Sequence, residues 1–208
     1  TLDDGTSVDA KAVILATGSK SKKLGVPGED TFYGRGVTYC AICDGPLFQD
    51  RRVIVAGGGN SAIEAAVDLA KIAEHVTVIH RSQLRADQIV IDQLKKFNNV
   101  TILLETQILE VQGERMVKGV RALDKASGSE LFVESSGVFI EIGYLPNSEW
   151  LKGAVELNER NEVVVNNHGE TSVPGIFAAG DLTQVPYKQV VVAAGEGAKA
   201  ALSANDYI

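Results

Sequence analysis

The sequence predicts an α/β fold built around a βαβ nucleotide-binding unit, and three observations lead to this prediction. A glycine turn, Gly57 to Gly59, separates a short apolar run from an amphipathic segment. Glycine is frequent, with 21 residues, while aromatic residues make up only 6%, which suits a fold with many tight backbone turns. After Thr106, short strand-like runs alternate with turn residues, so a smaller β-sheet is expected behind the βαβ unit.

Length and charge narrow the class of protein. The 208 residues can form one large or two small domains with buried cores. A hydrophobic content of 45% and a charged content of 23% are typical of globular proteins. The net charge of −7 argues against a nucleic-acid surface, and no apolar run approaches the roughly 20 residues that cross a bilayer. Since the start resembles neither a signal nor a transit peptide, we expect a cytoplasmic protein.

The first predicted element is a strand that follows an Asp-Gly turn of the hairpin type and ends at Gly18. A polar stretch that contains proline comes next, and the same ending recurs at Gly143, 125 residues later. If this is a repeat, the counterpart of Gly57 would lie roughly 70 residues before Thr1. The chain would then begin near the end of a first nucleotide-binding domain whose own βαβ unit is absent. The alternative is that any strand followed by a turn looks like this.

Both cysteines stand in the segment "VTYCAICDGPLF", as Cys40 and Cys43. A C-x-x-C pair can close a disulfide, bind a metal or exchange electrons. A structural zinc site needs four ligands, and His75, His80 and His168 show no ligand spacing to a partner, so no metal site is predicted. Beside a βαβ unit in a chain of cytosolic type, the pair indicates a dithiol–disulfide redox centre, because closely spaced thiols exchange rapidly.

Asp44 directly follows the second cysteine and is a candidate acid–base group for the thiol–thiolate step. The alternative is that it serves only as a turn residue before Gly45 and Pro46. The residues alone leave both interpretations open.

The clearest nucleotide-binding motif is the G-x-G-x-x-A pattern of Gly57, Gly59 and Ala62, between a predicted buried strand and a predicted helix. The first glycine permits the tight turn, the second lets the backbone approach a pyrophosphate, and the small third residue lets the helix pack on the strand. Asn60 and Ser61 are helix-capping types in the same turn. The helix is predicted to present one apolar face, formed by Ile63, Ala66, Val67 and Ala70.

The end of the next strand, "HVTVI", bears on the choice of coenzyme. The strand is followed directly by His80 and Arg81, and Arg85 comes shortly after them. No carboxylate stands between the end of the strand and Asp87. NAD sites usually offer a carboxylate to the ribose here, whereas NADP sites offer arginine. The two guanidinium groups therefore favour NADPH, the alternative being a solvated basic turn.

The remaining pattern predicts a second helix and strand in "ADQIVIDQLKKFNNVTILLET". Behind them, "QILEVQGE", "MVKGVRALD", "ELFVES" and "GVFIEIG" predict a small antiparallel meander. A nicotinamide coenzyme delivers a hydride and does not reduce a disulfide efficiently by itself, so a flavin is expected between the nucleotide and the cysteine pair.

In its motifs the chain resembles one family, the low-molecular-weight thioredoxin reductases together with the flavoprotein subunit of alkyl hydroperoxide reductase. The motifs follow the order of the family and cover essentially the whole chain. They are "ILATGS" at 14–19, "GVTYCAICDGPLF" at 36–48, "GGGNSAIEAA" at 57–66, "IGYLPNS" at 142–148, "TSVPGIFAAGD" at 171–181 and "VPYKQVVVAAGEGAKAAL" at 185–202.

The resemblance implies two Rossmann-like domains of the three-layer ββα type, with an NAD(P)H-binding domain inserted into an FAD-binding domain. Residues 31–143 would form the NAD(P)H-binding domain, and 1–30 and 144–208 would be parts of an incomplete FAD-binding domain.

The resemblance also implies roles for single residues. Cys43 would face the flavin, Cys40 would attack the substrate disulfide, and Asp44 would be the acid–base group. Asp181 would hydrogen-bond the ribityl chain of FAD, and Gln189 would lie near the flavin ring. The other cofactor-binding positions that it implies are Thr17, Gly18, Gly57, Gly59, Asn60, Ser61, Ala62, His80, Arg81, Arg85, Gly143, Gly180, Lys188 and Val190.

Two departures from the family pattern matter. Ser82 stands where thioredoxin reductases usually carry a second arginine after the histidine, and "ADQ" at 86–88, "PYKQ" and "GEGAKA" are closer to the hydroperoxide-reductase branch, which uses NADH. NADH is therefore a possible coenzyme beside NADPH. The pyrophosphate fingerprint for FAD is missing from these residues, so we expect that the chain alone binds NAD(P)H but retains FAD poorly.

The predicted function is an FAD-dependent NAD(P)H:disulfide oxidoreductase. Electrons would pass through Cys40 and Cys43 to thioredoxin or to a thioredoxin-like domain of a peroxiredoxin system, and the enzyme would be a homodimer. The alternatives are a nucleotide-binding chain without turnover and a flavin reductase for acceptors other than disulfides.

Overall fold

The computed structural model describes residues 3–208, which divide into two compact units. The inserted unit is Ser21–Gly143, and the flanking unit joins the described residues up to Lys20 with Tyr144–Ile208. The architecture is mixed α/β, as predicted. The first two residues of the predicted segment 1–30 lie outside the described residues. The assignment of the two units to an NAD(P)H-binding and an FAD-binding domain stays a prediction.

The described residues form β-strands, α-helices and short 3₁₀ turns. The strands are β1 (Val13–Leu15), β2 (Ser19–Ser21), β3 (Val37–Thr38), β4 (Arg52–Ala56), β5 (His75–Ile79), β6 (Val100–Leu103), β7 (Thr106–Gly113), β8 (Val117–Asp124), β9 (Glu130–Glu134), β10 (Gly137–Ile140), β11 (Tyr144–Pro146) and β12 (Ile176–Ala178). The α-helices are α1 (Ala41–Asp44), α2 (Asn60–Ala70), α3 (Gln88–Leu94) and α4 (Val190–Tyr207). Short 3₁₀ turns cover Gly45–Phe48, Glu149–Leu151 and Gly180–Leu182.

The inserted unit is a three-layer ββα structure. Its central sheet is parallel, with the strand order β3-β10-β4-β5-β6. Val53 and Val55 of β4 point to a core shared with α2 and α3. Ile54 and Ala56, the alternate residues, point to a second core shared with the antiparallel sheet β7-β8-β9. Because side chains alternate across a strand, one apolar strand supplies both cores.

The predicted βαβ unit is confirmed as β4, α2 and β5. The predicted apolar face of α2 is also confirmed, since all four of its residues are buried. The capping prediction is wrong: Gly59 is the N-cap residue, and α2 has no side-chain cap. Asn60 lies inside the helix, and its side chain instead exchanges two hydrogen bonds with Asp87, at 2.9 and 2.7 Å. The first N–H groups of α2 are therefore left without a side-chain cap.

The fourth strand of the predicted meander is wrongly placed by the sequence pattern. "GVFIEIG" contributes β10, which lies in the parallel sheet between β3 and β4. All four residues of β10 are buried, so the strand is covered on both faces. A short continuous apolar run is typical of such a strand, whereas the antiparallel strands β7 to β9 alternate more buried and more exposed positions.

The flanking unit contains two small pairs of strands and the longest helix. β1 pairs with β12 in parallel, and β2 pairs with β11. One core lies around Leu15, Val163 and Leu182, and another packs Phe177 against Ala200 of α4. No helix within residues 3–208 is long and apolar enough to span a bilayer.

Candidate active site

The motifs of the inserted unit meet at one edge of the parallel sheet. β3 leads to the cysteine pair, β4 to the glycine turn, β5 to His80, and β10 to Glu141. Ligands of open α/β sheets bind at the carboxyl ends of the strands, where the order of strands reverses. Here β10 lies in the sheet between β3 and β4. The redox pair after β3 and the nucleotide turn after β4 therefore lie on either side of the end of β10.

The glycine turn has the shape that a nucleotide site requires. Gly57 has φ +154°, and a Cβ on it would lie 2.3 Å from the carbonyl oxygen of Glu141 and 2.7 Å from the Cβ of Ala62. No side chain can therefore replace this glycine without a shift of the backbone. A Cβ on Gly59 would meet no atom within 4 Å, so the space in front of α2 is open. The open space and the uncapped helix terminus suit the pyrophosphate of a dinucleotide.

The ring of His80 packs against the glycine turn at Gly58. This ring is buried, and its Cδ2 atom would lie 2.4 Å from a Cβ placed on Gly58. The Nε2 atom is 3.2 Å from the hydroxyl of Ser82. Burial, followed by the positive charges of Arg85 and Arg81, lowers the pKa of His80 below its ordinary value, so the ring is neutral at pH 7. His80 thus shapes the turn without adding charge.

Arg81 and Arg85 are exposed at the end of β5, and neither has a carboxylate within 4 Å among the described residues. The backbone N–H of Arg85 donates to the carbonyl oxygen of Gly58 at 2.7 Å, which ties the arginine segment to the turn. Lys125, from the turn after β8, donates to the carbonyl oxygen of Arg81 at 3.0 Å. Sequence reasoning missed Lys125, because nothing in its own segment places it beside the end of β5.

Cys40 and Cys43 form a disulfide across the short helix α1, with their Cα atoms 5.3 Å apart. Cys40 is half-buried, whereas Cys43 is exposed. The backbone N–H of Cys43 donates to Sγ of Cys40 at 3.1 Å. Within residues 3–208 no cluster of three or more His, Cys, Asp and Glu side chains could hold a metal ion.

Asp44 lies at the end of α1, and Thr38 orients its carboxylate. The buried Thr38 hydroxyl donates to Oδ2 of Asp44 and accepts from the backbone N–H of Cys40, the latter at 3.2 Å. The hydroxyl therefore links the candidate acid–base group to the first cysteine. Thr38 was not among the sequence candidates, since a threonine in an apolar strand carries no motif of its own.

Glu141 is a second carboxyl group beside the cysteine pair, and it too was missed. Its Oε1 accepts the backbone N–H of Ala41 at 3.4 Å. Burial raises the pKa of Glu141 from the ordinary 4.5 to about 7, and the Ala41 N–H acts in the opposite direction. The only signal in the sequence was a single charged residue at the end of an apolar strand.

In the flanking unit, the candidate residues collect behind β1 and β12. Asn147 joins the segment after β1 to the segment after β11: its Nδ2 donates to the carbonyl oxygen of Thr17 at 2.8 Å, and its backbone N–H donates to that of Gly18 at 2.9 Å. The hydroxyl of Ser19 donates to Oδ2 of Asp181 at 3.4 Å. Gly18 and Gly180 have φ values of +66° and +71°, so both turns need glycine. The structure thus brings Thr17, Gly18, Gly180 and Asp181 together.

Lys188, Gln189 and Val190 stand at the start of α4. The ammonium group of Lys188 bonds to the Glu162 carboxylate at 3.1 Å and to the carbonyl oxygens of Thr183 and Asp181 at 2.6 and 3.3 Å. These three acceptors match the three donors of a lysine, so Lys188 fixes the Asp181 turn. Gln189 is the N-cap residue without a side-chain cap, and Val190 is exposed. Gly143, with φ +100°, ends the inserted unit.

A family model described as pyridine nucleotide-disulphide oxidoreductase matches residues 1–197. The chain belongs to this family. Proteins of this family are, in general terms, disulfide oxidoreductases that bind a flavin and a pyridine nucleotide.

Curated relatives within the family are components of alkyl hydroperoxide reductase. The F subunit of this reductase in Escherichia coli is 50% identical over 206 residues, which cover 98% of this chain and 40% of the relative. Its counterpart in Staphylococcus aureus is 48% identical over 209 residues, which cover 100% of this chain and 41% of the relative. This chain therefore spans about two fifths of the length of these curated relatives.

Solved structures of similar fold are thioredoxin reductases. The enzyme from Streptococcus pyogenes matches with a TM-score of 0.91 and 39% identity, over 99% of this chain and 68% of that one. The enzyme from Giardia duodenalis matches with a TM-score of 0.86 and 33% identity, over 94% of this chain and 65% of that one. The resemblance to thioredoxin reductases and to the hydroperoxide-reductase flavoprotein is thus confirmed, as is the Rossmann-like fold.

Proposed function

We propose that the chain is part of an FAD-dependent NAD(P)H:disulfide oxidoreductase, in which Cys40 and Cys43 are the redox pair. The observation that carries the proposal is the position of this disulfide at the same sheet edge as the G-x-G-x-x-A turn. In the overall reaction, NADPH and one proton reduce one disulfide to two thiols and leave NADP⁺. A bound flavin would supply the chemistry that couples a hydride donor to a disulfide.

The residues of the chain then have distinct tasks. Gly57, Gly59 and the first turn of α2 hold the pyrophosphate of the coenzyme. Arg81 and Arg85 bind the 2′-phosphate, with Lys125 adding a third positive charge nearby. This local excess of positive charge supports NADPH over NADH, although Ser82 departs from the thioredoxin-reductase pattern.

The dithiol step needs a group that moves a proton between sulfur and solvent. Asp44 fits this role, because Thr38 links its carboxylate to the backbone of Cys40. By resemblance to the family motif, Cys40 would attack the substrate disulfide, and Cys43 would be the cysteine that faces the flavin. The flavin would be held by Thr17, Gly18, Gly180, Asp181 and Gln189 of the flanking unit, and Lys188 would keep the Asp181 turn in place.

The substrate is proposed to be a protein disulfide, carried by thioredoxin or by a thioredoxin-like domain that serves a peroxiredoxin. The identity of about one half to the alkyl hydroperoxide reductase relatives favours the second partner, and with it a role in peroxide reduction. A cytoplasmic homodimer belongs to the same proposal.

The test is steady-state reduction of a small aromatic disulfide by NADPH, with FAD added, for the 208-residue chain and for any longer chain that its gene encodes. Turnover that is lost in Cys40→Ser and in Cys43→Ser supports the proposal. Nucleotide binding without turnover in a flavin-loaded wild type would contradict it, as would reduction of the aromatic disulfide by Cys40→Ser or Cys43→Ser at the rate of the wild type.

Two further readouts refine the assignment. Cys43→Ser should trap a partner as a mixed disulfide through Cys40, whereas Cys40→Ser should not. The isolated chain should retain little FAD after gel filtration, because the G-x-G-x-x-A turn that it contains belongs to the inserted unit. A stoichiometric flavin absorbance in the purified chain would contradict this second expectation.

A further inference from the structure

Glu141 occupies a place between the two motifs of the proposed active site. It is the first residue after β10, and its backbone N–H donates to the carbonyl oxygen of Ala56, the last residue of β4, at 2.9 Å. Its own carbonyl oxygen is the atom that a side chain on Gly57 would strike. The backbone of Glu141 is therefore packed against the nucleotide turn and cannot move independently of it.

The side chain of Glu141 reaches the cysteine pair. Its Oε1 accepts the Ala41 N–H at 3.4 Å, and this nitrogen belongs to the peptide group that joins Cys40 to Ala41. Asp44 is engaged differently, by the hydroxyl of Thr38. Glu141, 100 residues from Ala41 in sequence, thus contacts the short segment that carries the disulfide, whereas Asp44 belongs to that segment.

The surroundings of Glu141 do not compensate its charge. The side chain is half-buried, and burial raises its pKa to about 7, against the smaller effect of the Ala41 N–H. The titratable groups on the neighbouring elements are Asp44 and the two cysteines on α1, and His80, Arg81 and Arg85 beyond the glycine turn. None of these charges contributes to the pKa of Glu141, and within residues 3–208 no cation lies within 4 Å of its carboxylate.

We propose that Glu141 is a positioning residue of the Cys40–Cys43 pair, whose carboxylate holds the Ala41 N–H and takes up a proton when the disulfide is reduced. The proposal deepens the proposed function and rests on it, since it requires that this disulfide be the redox centre.

The proton balance of the step is simple when the reductant is a small dithiol. The reductant closes to a cyclic disulfide and releases two electrons and two protons. The electrons break the bond between Cys40 and Cys43, which leaves one thiol, with one of the protons, and one thiolate. The second proton goes to the Glu141 carboxylate, because a new negative charge nearby makes the protonated carboxyl group more favourable. No net charge is then added to the site.

The experiment titrates the thiolate absorbance of the reduced chain against pH, for the wild type and for Glu141→Gln. Glutamine keeps an oxygen that accepts the Ala41 N–H but cannot ionise, so it separates position from charge. We expect thiolate to form at a pH lower by roughly one unit in Glu141→Gln, because the repulsion by an ionised carboxylate is lost. Asp92→Asn, at an exposed position of α3, is the control for a lost charge and should titrate like the wild type.

A second measurement has its main readout in the wild type. At slightly alkaline pH, the infrared difference spectrum of the wild type, reduced minus oxidised, should show a positive band of a protonated carboxyl group. Asp44→Asn should keep this band, and Glu141→Gln should lose it. Coincident thiolate titrations of wild type and Glu141→Gln, or the absence of the band from the wild type, would overturn the inference.

Failure of this inference can be distinguished from failure of the proposed function. Both measurements use a chemical dithiol and need neither flavin nor nucleotide. A flavin-loaded chain that turns over normally while the titrations coincide would refute the role of Glu141 alone. A shifted titration in a chain without any NADPH-dependent turnover would refute the proposed function alone.

Discussion

Glu29 is a buried carboxylate that fixes the chain just before the cysteine pair. It is 2% exposed and accepts hydrogen bonds from the backbone N–H groups of Leu24 and Gly25, at 3.0 and 2.7 Å, and from the hydroxyl of Tyr39, at 2.8 Å. Burial, and then the bond to Glu29, raises the pKa of Tyr39. Since Tyr39 directly precedes Cys40, this one side chain anchors both ends of the segment that leads to the redox pair.

Glu29→Ala is expected to lower the free energy of unfolding by about 1–3 kcal/mol, because three donors lose their acceptor. Tyr39→Phe removes a single bond and should cost only about 0.5–1.5 kcal/mol. Urea unfolding followed by circular dichroism measures both. Asp30→Ala is the matched control, since this neighbouring carboxylate is exposed and its salt bridge within residues 3–208 is with Lys23, an interaction of about 0–1 kcal/mol. Equal losses in Glu29→Ala and Asp30→Ala would contradict the buried-anchor interpretation.

The arginines at the end of β5 carry the choice of coenzyme. Arg81→Ala and Arg85→Ala should each weaken NADPH binding by roughly 10- to 100-fold, since a charge-assisted hydrogen bond contributes about 1.5–3 kcal/mol. NADH lacks the 2′-phosphate, so its affinity should hardly change. Calorimetric titration of the chain with both coenzymes measures the two effects, and Arg115→Ala, in the turn after β7, is the control. If NADH binds tighter than NADPH and both variants leave this order unchanged, the chain uses NADH.

At the scale of elements, the glycine turn and α2 form the nucleotide-binding feature. The turn needs Gly57 for steric reasons, whereas at Gly59 the backbone has an ordinary φ of −93° and the space beyond is open. The two glycines thus serve different purposes, one the fold and the other the ligand. This difference is not visible in the motif, where both positions look alike.

Gly59→Ala should lower the free energy of unfolding by no more than about 1 kcal/mol, because alanine is a poorer N-cap residue than glycine but its methyl group meets no atom within 4 Å. It should weaken nucleotide binding by about tenfold or more, since the methyl group enters the space that the pyrophosphate approaches. Gly57→Ala should instead destabilise the inserted unit by several kcal/mol, on the order of an overpacked core. Thermal unfolding and coenzyme titration separate the two variants. A destabilised Gly59→Ala with unchanged affinity would exclude the proposed position of the pyrophosphate.

Element by element, the sequence predicted what depends on local pattern. The βαβ unit followed from β-branched runs around a glycine turn, and the strands of the meander followed from alternation and turn residues. The pattern failed at β10, whose partners in the sheet are β3 and β4, far away in sequence. A short apolar run specifies burial on both faces, but it does not specify which strands cover it.

At the scale of the whole molecule, the raised pKa of Glu141 couples stability to pH. The folded chain holds the proton up to about pH 7, whereas in the unfolded chain the carboxyl group has its ordinary pKa of 4.5. This contribution to stability is fully present below pH 4.5 and is lost as the pH rises through 7. Between these two pH values, Glu141 changes the free energy of unfolding by about 3 kcal/mol in total.

The expected result is a difference between the wild type and Glu141→Gln that grows from about pH 4.5 to about pH 7 and is constant on either side. The wild type loses stability relative to the variant over this range. Urea unfolding of the oxidised chain at a series of pH values measures it. A parallel course of the two stability profiles would mean that Glu141 titrates normally in the folded chain.

The sequence by itself determined the features that reside in contiguous segments. The C-x-x-C pair, the G-x-G-x-x-A turn, the arginines behind it and the family resemblance can all be identified without a fold, because each needs only a few residues at fixed spacing. The same locality explains why the mixed α/β class was predicted correctly, whereas the three-layer architecture was an implication of the family resemblance.

Only the tertiary structure decided which side chains surround the redox pair. Ala41 and Glu141 are 100 residues apart, and Lys125 contacts Arg81 across 44 residues. The physical reason is that a parallel sheet aligns the carboxyl ends of strands that are distant along the chain, so the groups that meet there depend on strand order. The position of β10 beside β3 and β4, which the pattern did not predict, is what brings Glu141 to the disulfide.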